Sequence, residues 1–181
     1  MMRTARRIAA AAGGLLVLLA GCGDPTASMG ARHAHGQDLP SAADRAWARR
    51  THQANLAEIA AGGQARSRGA SADVRSMGGM LVSDHTGADT ALRRTASRLR
   101  LSMPLRPDAA QRAQAAKLTA AKGGAFDRDF VRTQIAAHRT AIAQARAEAK
   151  RGHATELRTL AQHSLPTLEK HLALLRRDRA A

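Results

Sequence analysis

The fold can be inferred from residues 74–99, VRSMGGMLVSDHTGADTALRRTASRL. Mostly apolar side chains recur there at alternating spacings of three and four: Val74, Met77, Leu81, His85, Ala88, Leu92, Thr95 and Leu99. This period is that of a helix face packed along the seam of a bundle. His85 lies in the middle of the stripe, directly after Asp84. The function of the protein therefore depends on what this histidine does.

The first 22 residues, MMRTARRIAAAAGGLLVLLAGC, have the parts of an export signal. Three arginines precede an apolar run that is too short to predict a membrane-spanning helix. Residues 19–22 resemble the lipobox of bacterial lipoproteins, whose cysteine is lipidated once the preceding residues are removed. Cys22 is the only cysteine, so no intrachain disulfide can form. We expect a lipid-anchored, extracytoplasmic envelope protein; a cleaved secretion signal without lipidation is the alternative.

The chain is strongly basic. It carries 29 Lys and Arg against 14 Asp and Glu, and removal of residues 1–21 takes away three arginines, which leaves a net charge of about +12. This charge favours anionic envelope components such as phospholipid head groups or acidic wall polymers, although it also fits solvated outer helix faces. Nucleic acid is not expected as a partner, because the basic residues are spread along every segment and only Trp47, Phe126 and Phe130 are aromatic.

Composition and helix-terminal residues divide the chain into four parts. Residues 1–21 are the predicted lipoprotein signal peptide, and residues 22–41, rich in Gly, Pro and Ser, predict a flexible tether. Residues 42–177 predict an all-α four-helix bundle, and residues 178–181 a frayed tail. Long helices are expected at about residues 42–68, 74–100, 126–151 and 154–177. A long connector between the second and third contains a short extra helix at about residues 108–122, closed by two glycines.

Each long helix places one strong metal-ligand residue on its predicted inward face: Glu58, His85, His138 and His171. Buried ionisable groups are unfavourable unless they are paired, hydrogen-bonded or bound to a metal. Three imidazoles and a carboxylate suit a transition-metal ion, with Asp84 or Gln134 holding an imidazole from behind. The alternative is a set of buried hydrogen bonds that fix the helix register without a metal.

The predicted turns set the level of each of these groups along the bundle axis. Glu58 is then ~6 Å from His85 along the axis, and His138 is ~7.5 Å from His171. Gln134 becomes the better neighbour for His171. One compact four-ligand site and two separate polar pairs, Glu58 with His85 and Gln134 or His138 with His171, are both compatible with this count.

No sequence motif identifies a reaction. The chain has no Gly-rich phosphate loop, no Gly-x-Ser-x-Gly elbow and no Cys-x-x-Cys. Three further histidines, His52, His153 and His163, lie near helix edges or ends and are predicted to be solvated. Whether the protein is an enzyme is left open by the sequence, as is the identity of any metal cofactor.

Several motifs resemble the domain-of-unknown-function 4142 family. They are residues 55–59 (NLAEI), residues 80–86 (MLVSDHT), Phe126-Asp127 followed by Phe130, Gln134 and His138, Leu165-Pro166, and residues 169–172 (EKHL). The resemblance covers about residues 44–176, and its Asp-His-Thr and Leu-Pro…His-Leu pieces are the most specific. It implies a ferritin-like fold in an exported or membrane-anchored bacterial protein, of a kind often labelled an outer-membrane protein. It implies no established biochemical function.

The chain departs from the di-iron ferritin pattern. No long helix carries Glu-x-x-His, and only Glu58 is a predicted inward glutamate, so ferroxidase chemistry is not expected. The sequence favours a lipid-anchored extracytoplasmic four-helix bundle that is non-catalytic, contacting the membrane through Cys22 and anionic components through its basic surface. The alternative is a metal-binding protein or oxidoreductase that uses the four inward residues.

Overall fold

The structure, a computed structural model, describes residues 39–178. They form an all-helical bundle without a strand among these residues: α1 (Ala42–Arg68), α2 (Ala72–Arg98), α3 (Ala109–Ala120), α4 (Gly123–Arg151) and α5 (Thr155–Asp178). The predicted signal peptide, Cys22, nearly all of the tether and the end of the tail lie outside the described residues. None of the described helices combines the length and the apolar character that a membrane crossing requires.

The first three helices begin at residues whose side chains cap them. Ser41 Oγ accepts a hydrogen bond from the Asp44 backbone N–H at 3.1 Å, and Asp44 Oδ2 accepts one from the Ser41 backbone N–H at 2.8 Å. Ser71 caps α2 by accepting from the Val74 N–H, and Asp108 caps α3. Each cap satisfies N–H groups that have no partner within the helix.

The boundary between α3 and α4 differs from the prediction. The two glycines expected to close α3, Gly123 and Gly124, are instead the first residues of α4. The backbone is extended at Ala121 and Lys122, and Gly123 follows with a positive φ of 53°. Glycine adopts that conformation at little cost, so it allows the chain to enter α4 directly after α3.

The long helices pack as two hairpins. α1 lies against α2, and α4 lies against α5; the turns at residues 69–71 and 152–154 are short. Contacts of α1 with α4 and of α2 with α5 join the hairpins, and α3 packs against α1 and α4. Two glycines bring the first pair close together, since a Cβ on Gly78 would lie only 2.6 Å from the Gly62 carbonyl oxygen.

Buried apolar side chains form two clusters along the bundle. One includes Leu81, Phe126 and Phe130, and the other includes Trp47 and Leu92. The predicted stripe of α2 is buried at six of its eight positions: Val74, Met77, Leu81, His85, Leu92 and Thr95. Ala88, also predicted to be buried, is exposed because it lines an open cavity between the helices.

The end of the bundle at the start of α1 is held by a buried carboxylate. Asp44 accepts hydrogen bonds from the backbone N–H groups of His153 at 3.0 Å, Ala154 at 2.9 Å and Ser41 at 2.8 Å. Burial raises the pKa of Asp44, but these backbone donors outweigh it and place the pKa below its ordinary value. Asp44 therefore ties the first helix to the α4–α5 turn.

A second carboxyl group lies beside Asp44. Glu148 is 6% exposed, and its Oε1 has no hydrogen-bond partner among residues 39–178. Burial and then the charge and hydrogen bond of Asp44 raise the pKa of Glu148 to about 7, although Arg50 lowers it. Below about pH 7, Glu148 is therefore mostly protonated in the folded protein.

Glutamine at position 148 is expected to remove a pH-dependent loss of stability. Because the pKa of Glu148 is about 7 in the folded state and 4.5 ordinarily, its contribution to stability is complete below pH 4.5 and is lost as pH rises through 7. Glu148→Gln stays neutral throughout and still donates to Asp44. Between pH 5 and 8 the Tm of the wild type should fall by a few degrees relative to the variant. If the Tm of the wild type and that of Glu148→Gln changed equally between pH 5 and 8, this would contradict the prediction. Glu169→Gln, at an exposed position, is the control.

Candidate metal centre

Three buried histidines from three helices meet in the interior. His85 on α2, His138 on α4 and His171 on α5 are 6%, 1% and 0% exposed. One nitrogen of each ring lies within 4.8 Å of the corresponding nitrogens of the other two. The ring centroids are 5.3 to 5.7 Å apart. The structure therefore brings together three of the four residues that the sequence suggests as ligands, and we call them the histidine triad.

Hydrogen bonds indicate which ring nitrogens carry protons. His138 Nδ1 donates to a backbone carbonyl one turn earlier in α4 at 3.0 Å, because a carbonyl can only accept. His171 Nε2 donates to the carboxylate of Asp84 at 2.9 Å. His85 Nδ1 lies 3.0 Å from Asn55 Oδ1, which also accepts. In the neutral rings, the lone pairs are therefore on Nε2 of His85, Nε2 of His138 and Nδ1 of His171.

Two of these lone pairs face each other. His138 Nε2 and His171 Nδ1 are 3.2 Å apart, a distance at which two unprotonated nitrogens repel unless a cation lies between them. Two imidazole nitrogens bound tetrahedrally to one zinc ion would be ~3.3 Å apart, given bonds of about 2.0–2.1 Å. The third lone pair, on His85 Nε2, has no hydrogen-bond partner in the described part of the chain. Each ring of the triad thus has a lone pair, and one nitrogen of each ring lies within 4.8 Å of one nitrogen of each of the other two.

Burial keeps the rings of His85 and His138 neutral. Burial lowers the pKa of His85 to about 3, with smaller contributions from the neighbouring His138 and His171. Burial also lowers the pKa of His138 to about 4, although its hydrogen bond to the Gln134 carbonyl raises it. An additional proton on His138 is therefore not favoured near pH 7. Neutral imidazole is the form that binds metal ions.

Glu58, the fourth suggested ligand, lies behind His138. Its Oε1 is 3.9 Å from His138 Nδ1, the ring nitrogen on the side away from His171. Within residues 39–178 the converging ligand atoms come from the three histidines only. Burial raises the pKa of Glu58 to about 8, with a hydrogen bond from the Gln134 side chain lowering it. Glu58 is thus a neutral buried carboxyl at neutral pH, beside a ring whose Nδ1 proton is already donated to the Gln134 carbonyl.

Of Asp84 and Gln134, the two residues predicted to hold an imidazole from behind, only the first contacts a ring through its side chain. Asp84 holds an imidazole, that of His171. Gln134, expected near His171, instead accepts from His138 through its backbone. His138 and His171 are closer than the residue count predicted because α5 begins only at Thr155. The turn is therefore centred near residue 153, and the axial offset falls from five residues to three, ~4.5 Å.

Two polar residues have roles that the sequence reasoning missed. His85 contacts Asn55 instead of the expected Glu58. The sequence could have indicated this, because Asn55 lies one turn before Glu58 on the same face of α1. His52 was predicted to be solvated, and this is wrong, since it is 6% exposed. Its Nδ1 lies 2.6 Å from Asp89 Oδ1, and its Nε2 donates to the Pro104 carbonyl at 2.9 Å. The acceptors on α2 and on the following connector were not visible as neighbours in the sequence.

A cavity of about 520 Å³ adjoins the triad. Together, fold and site define a class of protein: an all-helical bundle with a buried histidine centre beside an internal cavity. The chain belongs to the family described as Domain of unknown function (DUF4142), whose model matches residues 29–177. This confirms the resemblance seen in the motifs. Neither the curated proteins nor the solved structures that were compared contain a match to the chain.

Proposed function

We propose that the protein binds one transition-metal ion through His85, His138 and His171. The observation that carries this proposal is the 3.2 Å separation of His138 Nε2 and His171 Nδ1, two nitrogens whose rings each donate a proton elsewhere. Imidazole nitrogens suit zinc, copper and iron. Asp84 supports the His171 ring from behind, as carboxyl groups commonly do for histidine ligands, and the Gln134 backbone carbonyl does the same for His138.

The proposal places this ion in a ferritin-like four-helix bundle. Support comes from the two hairpins, α1 with α2 and α4 with α5, and from the long connector between them that contains α3. A bundle with one long crossover connection is the ferritin-like arrangement. The donor set differs from that of a di-iron centre, because the triad contains three histidines and no carboxylate. We therefore propose a mononuclear centre.

Three protein ligands leave one position of a tetrahedral ion open. Structural zinc sites are closed by four protein ligands, whereas sites that bind water or another small ligand keep three. The triad belongs to the second kind. This arrangement favours exchange of an external ligand at the ion over a purely structural role, and it is the reason to prefer metal binding to the non-catalytic interpretation of the buried histidines.

Metal analysis of the purified chain tests the proposal. The protein, produced without an affinity tag, is expected to contain about one zinc, copper or iron ion per chain by mass spectrometry, either as isolated or after incubation with each ion and removal of the excess. His163→Ala alters an exposed histidine outside the triad and should retain that content. Less than about a tenth of an ion per chain under every condition would contradict the proposal.

We also propose that the protein is anchored in the cell envelope through lipidated Cys22, where its basic surface meets anionic components. Support comes from the lipobox-like sequence at residues 19–22 and from the excess of Lys and Arg. Cys22→Ser is expected to move the protein from the membrane fraction to the soluble fraction, because the lipid attachment atom is lost. Ser28→Ala, in the same segment, should remain in the membrane fraction. Unchanged fractionation of Cys22→Ser would argue against the anchor.

A further inference from the structure

The cavity beside the triad is elongated. All four long helices contribute to its lining, with His85, His138 and His171 at one end and Trp47 at the other. Along α1 the lining runs from Trp47 to Glu58, which corresponds to ~16 Å at 1.5 Å per residue. Its volume of about 520 Å³ falls in the range of small-molecule sites, roughly 300–1,000 Å³.

Small side chains create this space. Six alanines line it on three of the helices: Ala54, Ala88, Ala91, Ala137, Ala141 and Ala145. Larger apolar side chains fill the clusters elsewhere in the same helices, for example Leu81 on α2 and Ile135 on α4. Protein interiors are normally packed without large voids, so an alanine-lined space next to a packed core indicates room kept for another molecule.

The entrance lies between α2 and α5. Gly87, Ala88 and Ala91 on α2 and His163 and Thr167 on α5 are lining residues that are also exposed to solvent. In the described part of α1 and α4, every lining residue is at least half-buried. A molecule can therefore enter from one side of the bundle and meet the histidines at the inner end.

The inner end is the polar one. His85 lines the cavity, is 6% exposed, and has an Nε2 without a hydrogen-bond partner among the residues described. Asn55 and Glu58 also reach this end, and Glu58 Oε2 likewise lacks a partner in residues 39–178. The opposite end has the apolar ring of Trp47 and the side chain of Leu92. The cavity wall is thus mostly apolar, and the buried histidines and carboxyl group lie at one tip.

We infer that this cavity binds a small organic molecule with an elongated apolar body and one nitrogen or oxygen donor at its end. The apolar body lies against Trp47 and the alanines, and the donor atom takes the open position on the metal ion. The bond between the ligand's donor atom and the metal ion rests on the proposed function, whereas binding of the apolar body does not. The size and shape of the alanine-lined space determine which ligand is accepted.

A brominated phenylimidazole tests both ends of the site at once. Trp47 is the only tryptophan of the chain, so its fluorescence reports the far end of the cavity. In 4-(4-bromophenyl)imidazole the imidazole can bind the metal while the bromine atom, a heavy-atom quencher, reaches toward Trp47. On the cobalt(II)-loaded protein we expect saturable quenching and a change in the cobalt absorption over the same concentrations. Imidazole alone should need at least about 10-fold more for the same absorption change, because it buries less apolar surface.

Cavity-filling variants provide the controls. Ala141→Leu on α4 and Ala91→Leu at the entrance should each raise the Kd for the probe at least about 10-fold, while cobalt still binds. Ala143→Leu places the same side chain on an exposed position of α4 and should leave the Kd unchanged. Two cavity variants on different helices protect the test against misfolding of either one, which circular dichroism would reveal.

The outcomes separate the two proposals. Cobalt binding without quenching of Trp47, or equal quenching in all three variants, would overturn the inference and leave the metal centre standing. Quenching that Ala141→Leu and Ala91→Leu both weaken in a protein that binds no cobalt would support the cavity as a site for the apolar body. That result would overturn the proposed function and, with it, the claim that the ligand's donor atom binds a metal ion.

Discussion

Alanine in place of His138 is expected to lower the metal affinity of the protein by more than 100-fold. His138 supplies one of the two facing nitrogens, and its removal leaves two histidines to hold the ion. Asp84→Asn should have a smaller effect, since Asp84 only orients His171; the loss of such outer partners typically costs about 10–100-fold. Competition against a chromophoric chelator measures both affinities.

The three variants should affect the metal affinity to different extents, with His138→Ala the most severe and Asp84→Asn intermediate. His163→Ala, which changes an exposed histidine at the cavity entrance, should leave the affinity unchanged. Thermal unfolding of the metal-free variants distinguishes loss of a ligand from loss of the fold. Equal affinities for His138→Ala and the wild type would show that the triad is not the site of binding.

Alanine at Gly78 is expected to destabilise the protein by about 1–3 kcal/mol, the usual result of overpacking a close contact. The added Cβ would lie 2.5 Å from the Arg66 backbone nitrogen and 2.6 Å from the Gly62 carbonyl oxygen. These are backbone atoms of α1, so they can move away only if the two helices separate. Urea denaturation of the metal-free protein gives the change in the free energy of unfolding.

Gly79→Ala is the matched control for this substitution. The neighbouring glycine has open space, with Arg66 Cδ at 3.9 Å as its nearest contact. Alanine is a better helix former than glycine by roughly 1 kcal/mol, so this variant should be as stable as the wild type or more so. Equal destabilisation by both substitutions would contradict the close approach of α1 and α2.

Local features of the fold were predictable from the sequence. The period of residues 74–99 and the bounds of the four long helices depend on residues that are near each other in the chain, and the structure agrees with these bounds to within about three residues. The close contact at Gly62 and Gly78 was not predicted, because a glycine in a helical pattern does not reveal which backbone lies opposite. The prediction that Ala88 is buried is wrong because a side chain as small as alanine fits a packed core and the wall of a cavity equally well.

The site was predictable as a set of residues but not as a geometry. Helical periodicity places Glu58 and the triad on inward faces, and this needs no knowledge of neighbouring helices. The contact between His138 and His171 depends on the length of the α4–α5 turn, where a shift of one residue at the centre changes the offset by two residues, ~3 Å. The position of Glu58 behind His138 depends on side-chain conformation, which the sequence does not contain.

X-ray absorption spectroscopy of the zinc-loaded protein tests the central claim most directly. We expect an ion with three imidazole nitrogens at about 2.0–2.1 Å and one further light-atom ligand. The imidazole of 4-(4-bromophenyl)imidazole can replace that fourth ligand. In His171→Ala the imidazole contribution should fall to two. A zinc ion surrounded mainly by oxygen, or one whose imidazole signal is the same in His171→Ala, would contradict the metal centre proposed for the histidine triad.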